Sequence, residues 1–114
     1  MRTFLFVLTL VAATPALAET IAPRDAPKHV GENTTVEGVV GEVHHAASGN
    51  AIFLDIGGRY PSQQFTAVIF KDDFDKFPNV DALEGKIVDV TGPITSRKGR
   101  AEIILHDPGQ IKAK

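Results

Sequence analysis

Apolar and polar positions alternate in short runs along most of this chain, and clusters of Gly, Pro, Ser and Asn separate the runs. The sharpest alternation is Ile52-Phe53-Leu54-Asp55-Ile56. A period of two sends Ile52, Leu54 and Ile56 to one face and Phe53 and Asp55 to the other, so the aliphatic three mark the core side of a strand. Upstream, Thr34 to His45 carries Thr34, Thr35, Val36, Val39, Val40 and Val43, a β-branched density that predicts a long strand. Gly38 and Gly41 lie inside it and predict a bulge or sharp coil that lets one strand serve two parts of a sheet.

Ala46 to Asn50 is a loop by composition, and Gly57 to Gln64 is a long turn. Phe65 to Phe70 is the third strand. It is apolar on both faces except at Thr66, so its period alone does not choose a core side; Phe65, Ala67 and Ile69 are taken as inward. Lys71 to Leu83 has Phe74, Phe77, Val80 and Leu83 at spacings of three, with Asp72 or Asp73 placed to cap a first turn. Pro78 divides it, which predicts a short helical turn, a break and a second turn. The apolar four would plug an open barrel end.

Lys86 to Ser96 is a fourth strand interrupted by Gly92-Pro93, which demands an edge position or a bend. Arg97-Lys98-Gly99-Arg100 turns the chain, Ala101 to His106 is the fifth strand, and Asp107-Pro108-Gly109 ends it. The order is strand, strand, strand, short helix, strand, strand. It predicts an all-β fold of small helical content: a five-stranded OB-fold Greek-key barrel with its helix between strands three and four. Small barrels of the SH3 type compete, but lack a helix of this length there.

Composition adds a compartment. Met1-Arg2-Thr3 is a positive start, Phe4 to Ala13 an apolar run, and Pro15-Ala16-Leu17-Ala18 ends in small residues, so residues 1–18 read as a cleaved export signal. A membrane anchor is the alternative, but the stretch is shorter than the ~20 apolar residues a span needs and contains Pro15. The expected mature chain has 96 of the 114 residues, with residues 19–29 a tether and 30–112 the domain, in the periplasm or secreted. Without cysteine it has no disulfides, no thiol chemistry and no cysteine-based zinc site. Loss of Arg2 leaves 11 Lys and Arg against 14 Asp and Glu. A dedicated DNA-coating protein is usually basic overall, so polyanion binding here must be local.

The segments Val36-Glu37-Gly38-Val39-Val40, Ile52 to Ile56, Leu83-Glu84-Gly85-Lys86, Val90-Thr91-Gly92-Pro93-Ile94 and Ala101-Glu102-Ile103-Ile104-Leu105 resemble nucleic-acid-type OB domains. They are similar to those of anticodon-binding modules, and more closely to small exported bacterial OB modules associated with secreted nucleases. The resemblance covers roughly Val30 to Ile111. It implies a ligand lying across strands two and three, between the loops joining strands one to two and four to five. Mapped onto this sequence, that face holds His44, His45, Asn50, Phe53, Asp55, Arg59, Tyr60, Thr66, Arg97, Lys98 and Arg100.

Each of these residues has a plainer role to set beside binding. Arg97, Lys98 and Arg100 form the densest positive charge and could hold phosphates, or could solvate a hairpin and protect its edge. Phe53 and Tyr60 could stack unpaired bases, or fill space and anchor a turn. Adjacent His44 and His45 point to opposite faces of a strand and do not readily chelate one ion. His106 with Asp107 ends a strand, and Asp72, Asp73 and Asp75 start a helix. No nucleophile elbow, His-Glu-x-x-His helix or phosphate-binding Gly loop is present, and no metal or cofactor is implied. The expectation is a non-catalytic binding module. Its candidate contacts are Phe53, Arg59, Tyr60, Thr66, Arg97, Lys98 and Arg100, and its candidate partner is single-stranded nucleic acid or another polyanion. A protein-interaction or envelope stress module taking a protein or small ligand is the alternative, with oligosaccharide a third.

Overall fold

The computed structural model describes residues 19–114, so the export-signal reading of residues 1–18 falls outside it. Within the described residues the strands are β1 (Thr20–Ile21), β2 (Asn33–His45), β3 (Ala51–Ile56), β4 (Phe65–Phe70), β5 (Ile87–Pro93), β6 (Thr95–Arg97), β7 (Arg100–Ile104) and β8 (Ile111–Ala113). The sheet runs β6-β7-β4-β3-β2-β5-β8, with β1 added beside β2. Most ladders are antiparallel, but β1 with β2 and β4 with β7 are parallel. The protein is therefore a mostly β structure with a mixed, open sheet of eight strands, not five. The five expected strands are present as β2, β3, β4, β5 and β7.

Each additional strand has a local cause. Ile94 is buried between β5 and β6 and breaks the expected fourth strand at Pro93. Because only this residue joins the sixth strand in the order to the strand at the far edge, the sheet has to curl. The chain past Asp107 returns as β8 along β5, Val90 facing Ile111. Residues 19–29 are built into the sheet rather than free of it: Thr20 and Ile21 pair with Thr35 and Val36. A 3-10 helix (Pro23–His29) then lays Ala26 in the core.

The long strand β2 works as its glycines require. It pairs with β5 through Asn33–Val39 and with β3 through Val40–His45, with a register shift between Val40 and Glu42. A Cβ on Gly41 would stand 2.5 Å from the Gly58 carbonyl oxygen, and one on Gly38 would stand 2.6 Å from Pro23 Cγ. Neither position has room for a side chain.

Ile52, Leu54 and Ile56 lie in the core, as parity predicts, and Phe65, Ala67 and Ile69 face them there, on the side taken as inward. Between β4 and β5 lie two 3-10 turns, Lys71–Lys76 and Val80–Leu83, with Pro78 in the gap. Phe77 and Val80 are buried, and Phe74 and Leu83 pack against the same core. Side-chain capping by Asp72 or Asp73 does not occur, since Phe70 holds the N-cap position. Asp73 instead takes Lys76 Nζ at 2.9 Å and His106 Nδ1 at 3.0 Å, tying this segment to the chain after β7. Asp107 is the acid that does cap, closing a 3-10 turn (Pro108–Gln110) reciprocally with Gln110. Among the described residues no helix is long and apolar enough to cross a membrane.

Candidate functional site

Residues paired directly across a sheet point to the same side, so the register defines rows of side chains. One row crosses five strands: Glu42 on β2, Asp55 on β3, Thr66 on β4, Glu102 on β7 and Thr95 on β6. It lies on the face opposite the core and contains three carboxylates. The neighbouring row on that face is His44, Phe53, Val68 and Ile104. A cleft of about 690 Å³ opens over the middle of the first row, at Asp55, Thr66 and Glu102, and over His44 and Phe53 of the second. The turn after β3 and the Arg97–Arg100 hairpin help to wall it.

Six of the seven candidate contacts meet here: Phe53, Tyr60, Thr66, Arg97, Lys98 and Arg100 all line the cleft. Arg59 does not. It points to Glu42, with Nε 3.9 Å from the carboxylate and a side chain 75% exposed. Asn50 also lies off the cleft, whereas His44 and His45 border it.

The carboxylate row changes the electrostatics expected from sequence. Glu102 is 5% exposed, and Arg97 Nε lies 3.3 Å from it. Burial pushes its carboxyl above the ordinary range, with Arg97 pulling it back. Asp55 was expected to be a surface acid on this face. It is on this face but fully buried, and its nearest charged partner is His44 Nε2 at 3.3 Å. Desolvation pushes its carboxyl up, against weaker opposing pulls from His44 and the Tyr60 backbone. Each carboxylate of the row thus faces one base: Arg59 with Glu42, His44 with Asp55, Arg97 with Glu102. Lys98 and Arg100 have no carboxylate partner among the described residues. Arg100 Nη2 donates to the Pro61 carbonyl at 3.1 Å.

The aromatics are similarly divided. The Phe53 ring already carries the His44 imidazole, stacked at 5.1 Å and 24°, and the Arg97 guanidinium at 5.6 Å. Tyr60 is 64% exposed and meets Arg100 at 5.9 Å. It is the aromatic with surface to spare.

Sequence reasoning did not single out Glu102 or Gln63 as cleft residues. Glu102 had a legible signal, being a lone acid inside the apolar run Ala101–Leu105, as Asp55 is inside Ile52–Ile56. Gln63 had none, since a Gln in a polar turn is unremarkable. No group of acids and histidines suited to a metal ion occurs among the described residues.

No protein-family model matches the sequence, and no curated protein matches it. Solved structures do. The aspartyl-tRNA synthetase of Entamoeba histolytica superposes with a TM-score of 0.61 at 17% identity, over 87% of this chain and 22% of that one. The asparaginyl-tRNA synthetase of the same organism gives 0.56 at 20% identity, over 83% of this chain and 23% of that one. OBody AM1L10, bound to hen egg-white lysozyme, gives 0.61 at 18% identity, over 84% of this chain and 93% of that one. This chain therefore spans less than a quarter of either synthetase. The neighbours are OB-folds, and the likeness establishes an OB-fold-like module. At these identities it establishes the fold alone.

Proposed function

We propose that this chain is a non-catalytic module that binds single-stranded nucleic acid, or another extended polyanion, across the β2-β3-β4 face. The observation that carries this reading is the coincidence, in one cleft, of two cations without acidic partners among the described residues, Lys98 and Arg100, and an exposed aromatic, Tyr60. Phosphates would lie against the hairpin and a base against Tyr60, with backbone affinity largely indifferent to sequence. Because half of the candidate cations already face carboxylates, the binding is weak and local. Residues 1–18 support an exported setting, periplasmic or secreted.

Fluorescence anisotropy with labelled single-stranded DNA and RNA at two salt concentrations tests it. The Lys98→Ala/Arg100→Ala double variant should weaken binding to every sequence and flatten its salt dependence. Unchanged affinity in that variant would remove the assignment. A protein partner is the second reading, favoured by the neutralised carboxylate row: a face of alternating acids and bases suits a protein surface better than a strong polyanion.

A further inference from the structure

Buried acceptors without partners are rare in folded proteins and call for a bound donor. Among the described residues, four buried side-chain atoms lack a well-formed hydrogen bond, and three of them, both Asp55 carboxylate oxygens and Gln63 Oε1, belong to residues lining the cleft; His44 and the Tyr60 backbone approach Asp55 without closing one. The cleft floor thus presents acceptors while its rim is cationic. What covers Asp55 is informative. His44 is a flat nitrogen heterocycle, stacked on Phe53 at 5.1 Å with one nitrogen 3.3 Å from the carboxylate.

We propose that His44 occupies a nucleobase subsite: Phe53 is its stacking platform, Asp55 its acceptor pair, and guanine the base that displaces the imidazole. This rests on the nucleic-acid reading above and adds a base preference to it. The choice of base follows from donor patterns. Guanine presents N1–H and the exocyclic N2–H side by side, matching two carboxylate oxygens bidentately. Adenine and cytosine place a ring acceptor beside their amino group, and uracil and thymine flank one N–H with two carbonyls. Those acceptors repel Asp55. The second N2–H of guanine remains for Gln63. A protein guanidinium also carries paired donors, but it would bring a further cation beside Arg97, Lys98 and Arg100, whereas a nucleotide brings a phosphate to them.

The test uses fluorescein-labelled octamers at low salt: all-uridine, the same with one central guanosine, and the same with inosine there. The guanosine octamer should bind about tenfold or more tightly than the uridine octamer, as a bidentate base contact implies. Inosine, lacking the amino group, should lose most of that gain. His44→Ala should raise affinity for the guanosine octamer severalfold and for the uridine octamer less, because the internal competitor is gone: Phe53 is opened to any base, Asp55 to guanine alone. Asp55→Asn should erase the guanosine advantage alone, and the inosine comparison stands even where that variant folds poorly. Equal binding of guanosine and uridine octamers overturns the subsite while leaving the polyanion reading intact. An arginine-rich peptide that binds with Asp55 dependence, where no octamer binds, overturns both.

Discussion

His44 Nε2 stands 3.3 Å from the Asp55 carboxylate, joining a partly exposed ring on β2 to a fully buried acid on β3. Desolvation raises the Asp55 carboxyl in the folded chain above its ordinary 3.8. The folded state therefore holds this proton more tightly than the unfolded state does, and charged Asp55 subtracts from stability. That penalty is absent below the ordinary value and appears as pH rises through the raised one. Asp55→Asn removes the charge. At pH 7 it should gain roughly 1 kcal/mol, seen as a Tm higher by about 4–8 °C. The gain should vanish as pH falls towards 3.8. A variant less stable than wild type at pH 7 would show that His44 compensates the buried charge.

Acid should act oppositely on Asp73 and Glu37. Hydrogen bonds from Lys76 and His106 hold the Asp73 carboxyl low, and those with Lys114 and Asp89 hold Glu37 low. Their pairings are present above the ordinary values of 3.8 and 4.5 and are lost as pH falls through the depressed ones. Thermal melts of Asp55→Asn against pH should make this acid limb steeper, because the counter-slope from Asp55 is gone and only those of Glu102 and Asp89, whose carboxyls burial also raises, remain. Both groups are only partly buried, so the limb should be shallow and should weaken in high salt.

The basic residues should not contribute equally to polyanion binding. Lys98 and Arg100 face no carboxylate, whereas Arg97 and Arg59 each face one. Each phosphate contact on a single strand contributes about 0.7 to the slope of log K against log salt. Lys98→Ala and Arg100→Ala should each reduce the slope by roughly that amount. Arg59→Ala, outside the cleft, should leave it unchanged. A flattening at Arg59 equal to that at Lys98 would place the strand along β2 instead of the hairpin.

Five of the eight strands were legible because their causes are local: β-branched runs, period-two alternation, and Gly or Pro at the breaks; β1, β6 and β8 are short strands that exist only through the partners they find in the folded sheet. Gly38 and Gly41 announced a bent β2, and Pro78 announced two separate turns. The carboxylate row was not legible, because register assembles it from residues far apart in sequence. Glu42 faces Asp55, Asp55 faces Thr66, and Thr66 faces Glu102. Parity gave Asp55 its face but not its depth, which depends on His44 and on the turn at Tyr60 lying against it. The candidate cations were thus found, while the acids that neutralise two of them were not.

Gly41 gives a sharp test of the bend. An added methyl group would meet the Gly58 carbonyl oxygen at 2.5 Å, and that oxygen belongs to backbone with little freedom to shift. Gly41→Ala should lose about 1–3 kcal/mol by overpacking. The readout is the denaturant midpoint, with the slope unchanged. Gly109→Ala is the control, since its nearest neighbour outside the adjacent residues lies at 3.6 Å. A loss at Gly109 matching that at Gly41 would mean that steric closeness is not the cause.

Gln110 ties β5 and β7 to the turn after β7 through both ends of its amide. Its Nε2 donates to the Thr91 carbonyl at 3.1 Å and the Ile104 carbonyl at 3.2 Å, while Oε1 accepts from the backbone N–H groups of His106 at 2.7 Å and Asp107 at 3.0 Å. One side chain thereby satisfies four backbone groups on β5, on β7 and in the turn after it. At a net ~1 kcal/mol for each bond, and with part-buried carbonyls left unmet, Gln110→Ala should lose roughly 2–4 kcal/mol. Gln110→Glu separates the two ends of the amide. A carboxylate keeps the two accepted bonds but cannot donate, and it sets charge against the Thr91 and Ile104 carbonyls. It should therefore destabilise at neutral pH and recover on acidification. Equal midpoints for Gln110→Ala and the wild type would mean that water replaces these bonds without loss.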